Sequence, residues 1–243
     1  MSEQKAASRP FRLRVWGRNA CFTRPEMKVE RVSYDVMTPS AARGVLEAIL
    51  WKPAIRWIVE RIDILNPIRW ESVRRNEVDI KMSPNTNGFW IDDIGNDGKP
   101  KHRQQRAGLF LRDVDYVIHA RFEATDLAGP DDNPTKFQEM FLRRAEKGQC
   151  FHRPYLGCRE FAADFAPITN GEPLPQPLEQ TPDLGFAQPR DLGWMLYDVF
   201  HDRSADTSHV HTCTDECRPG FFTARLDMGQ LRVPPPDSPE VRR

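Results

Sequence analysis

Apolar and charged residues alternate from Phe11 to Trp16 (Phe-Arg-Leu-Arg-Val-Trp), the period-two pattern of a strand with one buried and one charged face. The period changes after Thr38-Pro39, where Ala42, Val45, Leu46 and Ile49 fall at helical spacing. Thr can accept from an orphan amide of the first turn, and Pro fits that turn without losing a bond. A helix is therefore expected from about Pro39 to Trp51, stopped by Pro53. Ile55 to Leu65 and Ile68 to Val78 read as two strands about the Asn66-Pro67 turn. Residues 79–102 have the Gly, Pro, Asn and Asp of a long loop, after which Gln105 to Leu111 and Val114 to Glu123 flank Arg112-Asp113 as a hairpin. Asn133 is placed to cap a helix reaching Lys147, with Phe137, Met140, Phe141 and Arg144 along it and Gly148 at its end.

The order strand, helix, strands, helix, strand predicts an α+β fold: a ferredoxin-like (RRM-like) domain over residues 11–161 with a β-hairpin extension, behind a disordered leader at 1–10. Pro173, Pro175, Pro177, Pro182 and Pro189 then lead into a small C-terminal antiparallel β region over 162–232, with strands at Gly193 to Phe200 and Phe221 to Leu226. The last residues, 233–243 (VPPPDSPEVRR), are expected to be disordered.

Composition narrows the class. With 243 residues, 39% of them hydrophobic and 29% charged, the chain can bury one good core. No apolar run approaches the roughly 20 residues that cross a bilayer, and MSEQKAASRP lacks the apolar centre of a signal peptide, so no membrane partner and a cytoplasmic location are expected. Five cysteines, odd in number and mostly scattered, are expected to be reduced. The net charge of zero hides an asymmetry: the first 60 residues carry 11 Lys and Arg against 6 Asp and Glu, and the remainder carries the opposite excess. One face is thus expected to meet a polyanion.

The densest basic stretch runs from Trp16 to Arg31 and mixes cations with aromatic residues, which suits single-stranded RNA held by its phosphates and stacked bases. Trp16, Arg18, Arg24, Lys28 and Arg31 are its candidate RNA contacts. No RNP1-like run is present, so the usual sheet-surface mode of the RNA-recognition motif is disfavoured.

Longer motifs follow in order: Cys21 to Trp57 (CFTRPEMKVERVSYDVMTPSAARGVLEAILWKPAIRW), RRNEV (Arg74 to Val78), RQQRA (Arg103 to Ala107), LRDVDYVI (Leu111 to Ile118), GQCFHRPYLGCREF (Gly148 to Phe161) and DLGWML (Asp191 to Leu196). Together they resemble the CRISPR-associated Cas five family of subtype I-C, in the superfamily of repeat-associated mysterious proteins. The resemblance implies a subunit of a type I-C surveillance complex (Cascade), serving antiviral defence. Such a subunit binds the repeat-derived 5′ handle of the guide RNA and caps the complex beside a backbone subunit and a large subunit, meeting target DNA only indirectly. It adds Arg43, Lys52, Arg74, Arg75, Arg103 and Arg106 as candidate RNA contacts.

The family is also thought to cut precursor RNA without a metal, which is the alternative function. Attack by a 2′-hydroxyl on the adjacent phosphate needs a base, a cation for the developing charge and an acid for the leaving oxygen. The family's pattern puts Tyr or His before Trp-Lys-Pro and a Lys-His pair near the start of the second helix. Those positions here read Leu50, and Lys136 followed by Phe137, so only Lys136 remains as a catalytic candidate. Acid–base catalysis contributes about 10² to 10⁴ in rate, so weak or absent processing is expected. If Leu50 and Phe137 hold the family's catalytic positions, Leu50→Tyr with Phe137→His should raise cleavage; His119 and His152 are the possible surrogates.

A segment from Phe200 to Pro219 departs from the family and holds His209, His211, Cys213 and Cys217. These are zinc donors, but the spacing lacks a second ligand pair a dozen residues away, so no metal and no cofactor is expected. A metal-dependent nuclease built on this loop is the weakest reading.

Overall fold

A computed structural model describes residues 6–85, 87–169, 171–173, 188–200 and 217–243. Strand β1 (Phe11–Ala20) starts the domain, with Phe11, Leu13 and Val15 buried and the arginines between them facing the other side. Helix α1 (Pro39–Ile49) begins where expected: the Thr38 hydroxyl accepts from the Ala41 amide at 3.3 Å, and Ala42, Val45, Leu46 and Ile49 are buried. Strands β2 (Ile55–Ile64) and β3 (Trp70–Val78) follow, then β4 (Arg103–Ala124). Helix α2 (Pro134–Glu146) is capped by Asn133, whose Oδ1 accepts from the Lys136 amide at 3.0 Å. It ends at Gly148 with φ +63°. Strands β5 (Asp164–Pro167), β6 (Arg190–Phe200), β7 (Arg218–Asp227) and β8 (Gln230–Arg232) complete the described elements.

The strands form one sheet in the order β5-β1-β4-β2-β8-β7-β6, with β3 paired to β4 off that path. Every strand pairing among the described residues is antiparallel, so the fold is a mostly antiparallel sheet with few helices. Helix α1 packs against β2 and β6, and α2 against β5 and the end of α1. Between helices and sheet, Phe11, Trp57, Phe122 and Phe141 meet at centroid distances of 4.8–5.8 Å, edge to face or tilted except for the stacked Phe11–Phe122 pair. Such offset pairs add to the area they bury.

Three expectations are corrected. Arg112-Asp113 is not a hairpin turn: β4 runs through it as one strand of 22 residues. Asp113 takes φ +53°, and its carbonyl accepts from Asn66 Nδ2 at 2.8 Å. The kink marks where β4 changes partners. Before it, β4 forms a two-stranded ribbon with β3; after it, β4 lies between β1 and β2. The true hairpin is β3–β4, with residues 79–102 at its tip.

The C-terminal residues 233–243 are also ordered, against expectation. The Val233 amide donates to Glu60 O at 3.0 Å, Phe221 and Arg242 exchange two 2.8 Å backbone bonds, and Val233 and Val241 are buried. Two well-placed valines and a strand edge outweigh the local polarity. Within the leader, Ser8 lies on the end of β4: its amide donates to Phe122 O at 2.9 Å, and its hydroxyl accepts from the Phe122 amide at 3.0 Å.

Candidate RNA interface

Residues 21–36, between β1 and α1, lie along the ribbon end of β4. The Ser33 amide donates to Leu109 O at 3.0 Å, and the Leu109 amide donates to Arg31 O at 2.9 Å. The Gly148–Phe161 segment closes against them: the Cys21 amide donates to Leu156 O at 3.0 Å. A cavity of about 300 Å³ opens between these pieces, lined by Phe22, Thr23, Thr38, Ser40, Ala41, Gly44, Tyr155, Gly157 and Leu196. His152, exposed on the same segment, stacks near Tyr155 with ring planes 27° apart and centroids 6.1 Å apart.

The fold distributes the sequence's candidate cations unequally. Arg18, Lys28 and Arg74 are exposed, and no carboxylate among the described residues pairs with them. Arg18 follows Gly17, where an added Cβ would meet Leu156 and the Ala162 carbonyl, so it sits beside the closing segment. Trp16 is partly exposed beneath the Arg14 guanidinium, 5.0 Å from its ring centroid. Lys52 is half-buried just past α1.

The other cations are committed within the protein. Arg24 lies 4.4 Å above the Tyr34 ring and 3.2 Å from Asp35. Arg31 reaches Glu77 at 3.1 Å and Glu160 at 3.3 Å, and Arg75 also pairs with Glu160 while lying 5.0 Å over Phe110. Glu160 thus draws the loop after β1, the ribbon and the closing segment together. Arg43 binds Asp198 through two nitrogens at 2.7 and 2.8 Å and Glu47 at 2.7 Å, tying α1 to β6. Burial lowers its proton affinity, and the two carboxylates more than offset this. Arg103 pairs with Asp92 and Arg106 with Gln104, both out on the ribbon.

The catalytic expectation changes most. Leu50 is 0% and Phe137 4% exposed, both inside the core: Trp57 Nε1 donates to Leu50 O at 2.9 Å, and the Phe137 ring meets Phe122 edge to face. Tyr and His at these positions would bury polar atoms at a cost of about 1–3 kcal/mol each unless bonded. Leu50→Tyr with Phe137→His is therefore expected to disturb the core and not to raise cleavage. Lys136 is exposed in the first turn of α2, its Nζ 5.8 Å from the Phe137 ring centre, without a titratable partner among the described residues. His119 is not free to act as a surrogate base: its Nε2 lies 2.6 Å from Asp63, which is wholly buried, and Arg61 closes on both. His209, His211 and Cys213 lie outside the described residues, and Cys217 is partly exposed at the start of β7.

Sequence reasoning missed a thiol pair beside the cavity. The Thr23 hydroxyl is 3.4 Å from Cys21 Sγ and 3.7 Å from Cys158 Sγ. The Cys21 thiol's hydrogen bond lowers Cys158 to about 6 against the opposing effect of burial, with the Thr23 hydroxyl and Arg31 helping. Cys21 is pushed up by the same bond and by burial. From about pH 6 up to an ordinary thiol's 8.5, the folded chain holds fewer protons than the unfolded one. Stability should then rise with pH across that window and be lost as pH falls through about 6; above the window the raised Cys21 thiol keeps its proton in the folded chain and opposes any further gain. Melts at pH 6 and pH 8 should show the rise, and Cys158→Ser should flatten it; an unchanged slope in the variant contradicts the assignment.

Comparison with known proteins places the chain. The profile of the family described as CRISPR-associated protein (Cas_Cas5) matches residues 11–234. The CRISPR pre-crRNA endoribonuclease Cas5d of Mannheimia succiniciproducens is 50% identical over 244 residues, spanning 96% of this chain and 98% of that protein. The protein of the same description from Thermus thermophilus is 41% identical over 240 residues, spanning 96% and 95%. A crystal structure of a CRISPR-associated protein is similar in fold, with TM-score 0.66 and 22% identity over 99% of this chain and 100% of that one. The chain therefore belongs to the CRISPR-associated Cas5 family, in its Cas5d branch of subtype I-C.

Proposed function

We propose that this protein grips the repeat-derived 5′ handle of a CRISPR guide RNA, as the end subunit of a type I-C surveillance complex beside a backbone and a large subunit. The observation that carries the reading is the closure of the Gly148–Phe161 segment on the loop after β1, which borders a cavity and leaves Arg18, Lys28 and Arg74 without carboxylate partners among the described residues. Unneutralised cations beside aromatic faces suit a single strand. The order β5-β1-β4-β2, with α1 and α2 as the crossovers, supports a ferredoxin-like reading of the main domain. Target DNA would be met only through the guide.

A second reading, cleavage of the precursor within its repeat, is favoured by the description shared by both curated relatives. Lys136 can steady the charge that develops on the phosphate, but Leu50 and Phe137 can transfer no proton. Under single-turnover conditions the chain should cut repeat RNA slowly and equally with or without chelator, and Lys136→Ala should slow it by about tenfold or more. Cutting that chelator abolishes overturns the metal-independent reading. Cutting unchanged in Lys136→Ala removes that lysine from the site.

A further inference from the structure

The cavity beside α1 has a feature that packing does not explain. Gly44 lies in the interior of α1, where glycine costs about 0.5–1 kcal/mol relative to alanine. It does not have a positive φ, and among the described residues a Cβ built on it meets no atom within 4 Å. Neither backbone strain nor a neighbour among the described residues requires glycine there, yet Gly44 lines the cavity. Glycine is also used where a ligand must approach the backbone closely. All nine lining residues, moreover, come from the three motif segments Cys21 to Trp57, Gly148 to Phe161 and Asp191 to Leu196, although these are far apart in sequence.

The geometry points to a pocket for one unpaired nucleotide of the bound RNA, an inference that rests on the RNA-binding reading above. A volume of about 300 Å³ sits at the small end of ligand cavities. That is room for one nucleoside and not for a run of them. The Tyr155 ring gives the base a stacking face, and His152 beside it continues the platform outward. The hydroxyls of Thr23, Thr38 and Ser40 each already touch a protein partner, and their remaining donor or acceptor capacity suits a base edge or a ribose. Exposed Arg159 follows Gly157 by two residues, and Arg18 lies on the adjoining strand end, so the flanking phosphates would meet cations as they leave the pocket. An aromatic side chain of a neighbouring protein would also fill the space, but it would make no use of these cations.

The test fills the pocket from its own wall. Gly44→Leu projects into open space and adds helix propensity, so it should melt at or above the parent's temperature. Its affinity for repeat RNA should fall by about tenfold or more, the worth of one stacked base. Gly44→Ala, which protrudes less, should lose less. A single 2-aminopurine moved through the 5′ handle should be quenched at one position in the parent, and that quenching should vanish in Gly44→Leu. If Gly44→Leu melts below the parent, Tyr155→Leu, which keeps the lining apolar and removes the stacking ring, carries the same comparison. A parent that binds repeat RNA alongside a Gly44→Leu variant that binds within twofold, with the same 2-aminopurine pattern, overturns the pocket alone. A parent that binds repeat RNA no better than an unrelated strand overturns the RNA reading and the pocket with it.

Discussion

Gly157→Ala is expected to lose about 3 kcal/mol or more of stability together with RNA binding. Gly157 has φ +82°, in the left-handed region that costs other residues about 1–3 kcal/mol. Its larger difficulty is space. A Cβ there would stand 2.6 Å from the Cys21 carbonyl carbon and 3.0 Å from Phe22 Cα, with the Cys21 carbonyl oxygen nearer still. These are backbone atoms just past the end of β1, held by the Cys21–Leu156 bond, and cannot rotate away as a side-chain tip would. Relief requires the closing segment to lift, which opens the cavity on the side of Tyr155. Gly148→Ala is the control: it shares a positive φ, here +63°, but among the described residues meets nothing within 4 Å, so it should show the backbone strain only. Thermal melts of the two variants decide the matter. A Gly157→Ala protein as stable as Gly148→Ala would mean that the closing segment does not seat on Cys21 as described.

Arg43→Ala is expected to lower stability by about 2 kcal/mol without changing how RNA binding responds to salt. Removing one partner of a buried ion pair typically costs about 3–5 kcal/mol, because the remaining charge keeps its desolvation. Arg43 and Asp198 side chains are 29% and 20% exposed, so solvent recovers part of that loss. The carboxylates of Asp198 and Glu47 would then share the site with no cation between them. A phosphate contact would behave differently, since each one lost lowers the salt slope by about 0.7 for a single strand. A stable Arg43→Ala protein with a reduced slope would return Arg43 to the RNA interface. A double-mutant cycle with Asp198→Ala should recover a coupling above about 1 kcal/mol.

These two cases show where sequence reading succeeds and where it stops. Strand β1 and helices α1 and α2 were legible because their signals are local. Alternation fixed the buried face of Phe11, Leu13 and Val15, while Thr38 and Asn133 make the capping bonds their positions suggest. The kink at Asp113 imitates a turn over a few residues, and only the partners β1 and β2, supplied from elsewhere, show that β4 continues. Proline content misled at the C-terminus, since the seats of Val233 and Val241 are not visible along the chain.

The cations of the site were legible as cations, but not as free ones. Arg43 meets Asp198 across 155 positions, and Arg31 meets Glu160 across 129. No local pattern distinguishes such an arginine from Lys28 or Arg18. The burial of Leu50 and Phe137 was written in their chemistry, yet the family correspondence drew attention to what they lacked and away from the core they fill. Gly157 lies inside the segment Gly148 to Phe161, and its close approach to Cys21 appears only in three dimensions.

The most direct test of the central claim is equilibrium binding of the purified chain to its repeat RNA across a salt series, beside an unrelated single strand of equal length. The account predicts tighter binding of the repeat RNA at every salt concentration, a linear fall of log affinity with log salt, and a slope reduced by about 0.7 in Lys28→Ala. Equal affinity for the two strands, or repeat binding that does not respond to salt, would contradict it.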